Sequence, residues 1–243
     1  MLSGLRLAVS LLTIVPVRRR DDGPEPLAAA RRAMLWAPLV GLLLGAIAAG
    51  VMALGTFAGQ RSLLAAALGV ASLVALTRGL HIDGLADTAD GLGTRLPPAE
   101  ALAVMRRGDT GPFGVVSVVL ALIVQVSAAA QAGPLALMFA ATAGRVAMTW
   151  SCRRSVPAAR PDGLGALVAG SVSTVHAATL ALVTLLAAVT VGPTGALGVI
   201  AGLGAGEILL QRCVRRLGGV TGDVLGAVSE VAVTVALVIF AAG

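Results

Sequence analysis

Long apolar runs alternate with short polar segments along almost the whole chain. Seven runs consist almost entirely of aliphatic and small residues, at about 33–57, 62–80, 114–132, 135–150, 174–191, 196–210 and 224–242. A helix needs about 20 such residues to cross a bilayer's hydrocarbon core. The pattern predicts an all-α, polytopic bundle of roughly seven transmembrane spans, built as one membrane-embedded domain over residues 1–243. Residues 1–17 precede the first span and predict an interfacial or embedded helix.

The composition also favours a membrane protein. Hydrophobic residues make up 57% of the chain and charged residues only 12%, whereas a soluble domain carries about 25% charged residues. The net charge of +6 could suit nucleic acid, but no basic region studded with aromatic residues accompanies it. We therefore expect the lipid bilayer, and no nucleic acid, as a partner. The chain has no lysine, which excludes a P-loop.

The arginines predict one topology. Short cytoplasmic segments carry an excess of basic residues, so Arg18, Arg19, Arg20, Arg31 and Arg32 place the first polar region in the cytoplasm. After two crossings the segment 81–111 returns to that side, and the segments 153–163 and 212–223 follow it. The connections on the other side, near 60, 133 and 193, contain only Arg61. Every polar segment that could do chemistry is therefore expected to face the cytoplasm.

An acidic run at 81–91, HIDGLADTADG, gathers three carboxylates beside an apolar span. In a helix, Asp83, Asp87 and Asp90 follow i, i+4, i+7 spacing and share a face. Three like charges repel unless a cation lies among them, and Mg²⁺ prefers oxygen ligands that it shares with substrate phosphates. The run therefore predicts a Mg²⁺ site for phosphoryl transfer. The alternative is a solvated loop at a helix start, because Asp favours helix N-termini and Gly favours turns.

Two further polar clusters could complete such a site. Arg106, Arg107 and Asp109 lie among Gly108, Gly111 and Gly114, so that arginine forks could meet phosphate oxygens where the backbone allows close approach. The alternative for this cluster is an ordinary basic flank of the next span.

The third cluster pairs Asp223 with Glu230, seven residues apart and two turns along one helix face. A carboxylate inside an apolar span is a candidate functional residue. The alternative is a satisfied polar residue among packing glycines.

In this order the three clusters resemble those of the cobalamin synthase family, the adenosylcobinamide-GDP ribazoletransferases. The resemblance covers essentially the whole chain and is carried by SLLTIVPV at 10–17, GLHIDGLADTADG at 79–91, the stretch 105–114 and GGVTGDVLGA at 218–227. There are three departures. The family commonly has T-G-G where this chain has Thr77-Arg78-Gly79, many members read M-[KR]-D-S-R-[IL]-G where this chain reads MRRGDTG at 105–111, and many have a second glutamate where this chain has Val233.

The resemblance implies a magnesium-dependent phosphotransferase of the bacterial cytoplasmic (inner) membrane. It would join adenosylcobinamide-GDP to α-ribazole, or to its 5′-phosphate, and release GMP. On this basis the catalytic residues are His81, Asp83, Asp87 and Asp90, and the three aspartates are the Mg²⁺ ligands. His81 is either a general base or the residue that orients an aspartate. The substrate-binding residues are Arg106, Arg107, Asp109, Asp223 and Glu230.

Two other functions compete with this interpretation. A CDP-alcohol phosphotransferase would use a similar acidic motif but would be expected to keep an arginine where Asp87 follows Ala86. An ion-coupled transporter would spread its carboxylates through several spans near the midplane. Glycine faces at 41–45 and 198–206 permit helix association and are compatible with a homo-oligomer.

Overall fold

The computed structural model describes residues 2–16 and 26–243. The described chain is built from helices joined by short connections, and strand pairing within it is limited to two isolated bridges, Arg153–Val172 and Ala158–Val220. The α-helices, in chain order, are α1 (Leu2–Leu12), α2 (Pro26–Phe57), α3 (Ser62–Leu76), α4 (Leu80–Gly93), α5 (Pro98–Val104), α6 (Pro112–Ala132), α7 (Pro134–Ser151), α8 (Gly163–Val168), α9 (Thr174–Ala188), α10 (Gly195–Leu217) and α11 (Gly222–Phe240).

The helices confirm an all-α polytopic membrane protein. Each of the seven predicted spans is helical, and five are long and apolar enough to cross a membrane: α2, α6, α9 with the 3-10 turn that follows it, α10 and α11. Helices α3 and α4 together make a sixth candidate, but they meet at 85°. Helix α4 is 14 residues long and carries the acidic motif, so we place it outside the spanning segments. The predicted count of seven requires α3 and α7 to cross as well and stays a prediction.

Glycines let neighbouring helices of the bundle approach closely. A Cβ built on Gly45 would lie 2.8 Å from the carbonyl oxygen of Met138 in α7, and one built on Gly202 would lie 2.6 Å from that of Ala232 in α11. The two glycine faces that suggested association between copies are therefore filled within the chain. A homo-oligomer stays a prediction and loses this support.

The corner between α3 and α4 is a Schellman motif. The amide of Gly79 donates to the carbonyl of Val74 (2.8 Å), and the amide of Arg78 donates to that of Ala75 (3.0 Å). This motif needs a left-handed residue after the helix, and Arg78 takes that position with φ 56°. In the described chain Arg78 is the one non-glycine residue with a positive φ. The conformation costs an L-residue about 1–2 kcal/mol.

Three polar segments meet on one side of the bundle. The guanidinium of Arg216 donates to the carbonyl of Thr94 (3.1 Å), which joins the end of α10 to the end of α4. The amide of Val220 donates to Pro157 and its carbonyl accepts from Ala159, each at 3.0 Å, which joins the loop after α7 to the start of α11. These are three of the segments that the arginine pattern assigned to a common side. Arg18, Arg19 and Arg20, which fixed the first polar region, lie outside the described residues.

Candidate active site at the junction of α4 and α11

The site begins where α4 crosses the N-terminus of α11. A Cβ on Gly84 would lie 2.6 Å from the carbonyl oxygen of Asp223, and a Cβ on Gly226 would lie 3.2 Å from the Cα of His81. Glycine at both positions lets the two backbones touch. The acidic run near residue 85 and the aspartate near the chain's end, far apart in sequence, are thereby brought together.

Helix α4 arranges its three aspartates at increasing depth. The helical geometry confirms that Asp83, Asp87 and Asp90 share a face. Asp83 is exposed, Asp87 is half-buried and Asp90 is buried, because α6 begins over the C-terminal end of α4. The predicted stripe is present, but its three members occupy different surroundings.

The carboxylates repel one another. Burial is the largest cause that raises the pKa of Asp87 to about 6, and the charges of Asp83, Asp223 and Asp90 raise it further. The guanidinium of Arg160 lies 3.2 Å from Oδ2 of Asp223 and acts in the opposite direction. Asp83, Asp87 and Asp223 therefore form one negatively charged cluster, and Arg160 lies at its edge through its salt bridge with Asp223.

Asp90 is engaged by the backbone of the next helix. Its Oδ2 accepts the amide of Gly111 at 2.7 Å, and its Oδ1 accepts that of Gly114 at 2.9 Å. A Cβ on Gly114 would lie 2.4 Å from the same carboxylate, so glycine is required for this contact. Asp90 thus caps α6 and ties the acidic run to the second polar cluster. Each of its oxygens keeps one further lone pair.

The other residues of the second cluster lie at the surface. Arg106 forms a salt bridge with Asp162 in the loop before α8, and both side chains are more than half exposed. Arg107 and Asp109 are exposed on the turn between α5 and α6. Their predicted role in substrate binding stays a prediction.

Glu230 is not part of the carboxylate cluster. It lies two turns further along α11 than Asp223, about 10 Å along the helix axis. It is buried, and its Oε2 accepts a hydrogen bond from Gln125 of α6 at 2.9 Å. Glu230 and Asp223 therefore lie in two layers of the structure, and their predicted role in substrate binding stays a prediction.

His81 belongs to the deeper layer. It is 1% exposed, and its Nδ1 lies 3.3 Å from Nη2 of Arg145 in α7. Arginine is only a donor, so Nδ1 accepts and the imidazole is neutral with its proton on Nε2. Burial, and then the charge of Arg145, lower the pKa of His81. Its hydrogen-bond partner in the described chain is this arginine, not an aspartate, which does not support the aspartate-orienting role.

Arg145 was missed in the sequence. It lies inside the predicted fourth span, is 3% exposed, and also donates to Oγ of Ser229 at 3.3 Å. A single arginine within an apolar run is itself a signal of a functional or buried polar site. Treating arginines as markers of topology concealed it. Arg160 was also missed, and nothing in its loop sequence distinguishes it from neighbouring arginines.

The donor set suits a hard cation that also binds substrate. Within residues 2–16 and 26–243 there is no group of three His, Cys, Asp or Glu side chains spaced as a ready-made metal cage. Mg²⁺ is usually held by one or two carboxylates and completes its shell with water and substrate phosphates. The clustered, mutually repelling oxygens of Asp83, Asp87 and Asp223 fit this kind of open site.

Fold and site together define a polytopic helical membrane protein with an acidic site among its polar segments on one side of the bundle. The family model described as cobalamin-5-phosphate synthase matches residues 4–241. The chain belongs to this family.

Relatives resemble it over nearly their full length. The adenosylcobinamide-GDP ribazoletransferase of Nocardioides sp. is 42% identical, with 98% of this chain and 97% of the relative covered. Those of Frankia casuarinae and Bradyrhizobium diazoefficiens are 40% and 38% identical, covering 97% and 99% of this chain and 93% and 94% of the relatives. No solved structure matches the chain.

Proposed function

We propose that this protein is an adenosylcobinamide-GDP ribazoletransferase. It transfers adenosylcobinamide phosphate from adenosylcobinamide-GDP to α-ribazole, or to α-ribazole 5′-phosphate, and releases GMP. The product is adenosylcobalamin or its 5′-phosphate, at the stage that completes the nucleotide loop. The names of the full-length relatives support this reaction, and the observation that carries it is the carboxylate cluster of α4 and α11.

The reaction is a displacement at phosphorus. The acceptor hydroxyl oxygen forms a bond to the phosphorus that carries the cobinamide, the bond from that phosphorus to the GMP oxygen breaks, and the hydroxyl proton is released to solvent. Negative charge accumulates on the leaving oxygen and on the phosphoryl oxygens. A site that contains only carboxylates would oppose this charge, so a cation is required.

We propose Mg²⁺ as that cation, held by Asp83 and Asp87 from α4 with Asp223 from α11. When bound, it would neutralise the charge that develops on the phosphates. Asp90 holds the start of α6 against α4 through two backbone amides, so it supports the ligand stripe from its buried end. Arg160, at the edge of the cluster, donates to Asp223. If Asp223 binds the cation instead, Arg160 would be free to bind a phosphate oxygen.

The site is proposed to face the cytoplasm of a bacterial inner membrane. The support is the arginine pattern, because the segments it assigns to the cytoplasmic side are those that converge on the site. The nucleotide-linked donor would then be available from the compartment where nucleotides are made.

One assay tests the reaction. Purified protein in nanodiscs is given adenosylcobinamide-GDP, α-ribazole and Mg²⁺, and the complete corrinoid and GMP are measured. We expect both products in equal amounts and none after chelation by EDTA, with recovery on adding Mg²⁺. A folded preparation that makes neither product would refute the proposal.

A matched pair of variants tests the site. Asp83→Asn removes one charge from the cluster and should abolish turnover without loss of folding. Glu100→Gln makes the same chemical change at an exposed position of α5 and should leave turnover unchanged. Equal activities of the two variants would show that Asp83 is not a required ligand.

A further inference from the structure

A cavity of about 800 Å³ opens beside the acidic cluster, between the α3–α4 corner, α4 and the first turns of α6. Asp83 lines it, so the cavity is continuous with the proposed metal site. A volume of this size is typical of small-molecule sites, which lie at about 300–1,000 Å³. The cavity is therefore large enough for a nucleoside-sized ligand next to the reacting groups.

The lining divides the cavity into two chemically different parts. One wall is the apolar face of α6 formed by Val115, Val118 and Val119, with Thr110 at its edge. The α3–α4 side contributes the two charged residues of the lining, Arg78 and Asp83, beside the apolar residues Leu80, Ile82 and Ala86. A ligand that matches both parts has an apolar ring system and a phosphate.

Arg78 is positioned for an anion. Its side chain is exposed, and the arginines that form salt bridges in the described chain are Arg106, Arg153 and Arg160. It occupies the left-handed position of the Schellman motif, with φ 56°, where glycine would be free of strain. Strained backbone of this kind concentrates at ligand-binding positions. A cationic side chain at a strained position, in the lining of a cavity beside the proposed reacting groups, indicates a binding role in this chain.

We propose that this cavity binds the acceptor of the reaction, with its base against the α6 wall and its phosphate at Arg78. This inference rests on the proposed function, which supplies α-ribazole 5′-phosphate as an acceptor. The base of α-ribazole is a methylated benzimidazole without exocyclic hydrogen-bonding groups and with a single ring-nitrogen acceptor, so it can lay an apolar ring face on this wall. Guanine of the donor would leave several polar groups unpaired against the same valines.

Binding without the donor tests this assignment. The dissociation constants of α-ribazole 5′-phosphate, α-ribazole and GDP are measured by calorimetry with protein in nanodiscs. Arg78→Gln removes the charge and keeps the strained corner. It should raise the dissociation constant of α-ribazole 5′-phosphate about ten-fold and leave that of α-ribazole unchanged. Arg78→Lys should retain most of the affinity. Arg61→Gln, on the α2–α3 connection, is the matched control and should change nothing.

A glycine variant separates binding from structural support. Arg78→Gly relieves the left-handed strain, so it should raise the melting temperature by about 2–4 °C. It should still weaken the binding of α-ribazole 5′-phosphate about ten-fold. A lower melting temperature with unchanged binding would assign Arg78 to structure alone and overturn the inference.

Two other outcomes of the binding measurements would overturn the acceptor assignment. Weaker binding of GDP instead of α-ribazole 5′-phosphate would place the donor at Arg78 and overturn the acceptor assignment. Unchanged binding of all three ligands in Arg78→Gln would overturn the inference and indicate that lipid occupies the cavity. The wild-type turnover assay judges the proposed function separately: product formation together with unchanged binding rejects only this subsite.

Discussion

Replacing Gly84 by alanine tests whether the contact between α4 and α11 sets the positions of the carboxylates. The added methyl group would lie 2.6 Å from the carbonyl oxygen of Asp223 and 3.0 Å from its Cα. Both are backbone atoms at the start of a helix and cannot rotate away. Since an ordinary contact needs about 3.5 Å, the two helices must separate by about 0.8–0.9 Å.

The expected effect of Gly84→Ala is on turnover. A misplacement of about 1 Å at a reacting centre costs on the order of 100-fold in rate, so we expect kcat for GMP release to fall 10- to 100-fold. Alanine favours the helix itself by about 1 kcal/mol, so a loss cannot be attributed to weakened helix formation. Circular dichroism and the melting temperature in nanodiscs check that the variant is folded at the assay temperature.

Two other glycines give a graded series. A Cβ on Gly226 would lie 3.2 Å from the Cα of His81, which requires a smaller shift, and a Cβ on Gly204 in α10 meets nothing within 4 Å. We expect kcat to decrease in the order Gly204→Ala, Gly226→Ala, Gly84→Ala, with the first close to wild type. Wild-type kcat in a folded Gly84→Ala variant would refute the argument that this contact positions the site.

Three further variants test the surroundings of the cluster. Asp90→Asn keeps one acceptor oxygen, so one of the two backbone amides that donate to Asp90 loses its partner. The free energy of unfolding, measured by denaturant titration, should fall by about 0.5–2 kcal/mol. An unchanged value would contradict the capping role. Arg145→Met removes the buried donor that faces Nδ1 of His81 and Oγ of Ser229 and should lower the unfolding free energy by about 1–3 kcal/mol in the same titration, which an unchanged midpoint would contradict. Asp87 has a pKa raised to about 6, so its ionisation opposes folding. Its contribution to the free energy of unfolding is fully present below about pH 4 and is lost as pH rises through 6. With divalent cations chelated, melting curves should show Asp87→Asn matching wild type at pH 4 and exceeding it at pH 8, and parallel pH profiles would contradict this.

The sequence predicted the class of fold and the shared face of the three aspartates of α4, because both depend on local signals. Apolar runs of membrane-spanning length give helices, and helical spacing places Asp83, Asp87 and Asp90 on one face. The expectation that Asp223 closes the site from the far end of the chain agrees with the α4–α11 contact. That agreement came from the family resemblance, since nothing local in the sequence specifies which helix packs against α4.

Local patterns leave the packing partners and the depth of a residue open. Small-residue faces show that a helix is packed closely but do not name its partner: the Gly41–Gly45 face was compatible with association between copies, and in the structure it packs on α7. The spacing of Asp223 and Glu230 on one face likewise says nothing about depth, and a separation of two turns places them in different layers. The 85° angle between α3 and α4 at Arg78 was not predicted either, because the apolar run of α3 continues directly into α4 in the sequence.

The two layers explain how a chain with so few charges builds a polar site. The outer layer holds Asp83, Asp87 and Asp223, which repel one another and form the proposed cation site. The inner layer pairs His81 with Arg145 and keeps Glu230 on Gln125, so its charges and polar groups are sealed in the bundle. Residues 81 and 83 lie on nearly opposite sides of the first turn of α4, because two residues rotate a helix by about 200°. The same short helix therefore buries His81 in the bundle while it presents Asp83 and Asp87 on its outer side. Leu85 and Ala86 of the same helix are also buried, so the inner layer and these apolar contacts together keep the outer layer in place.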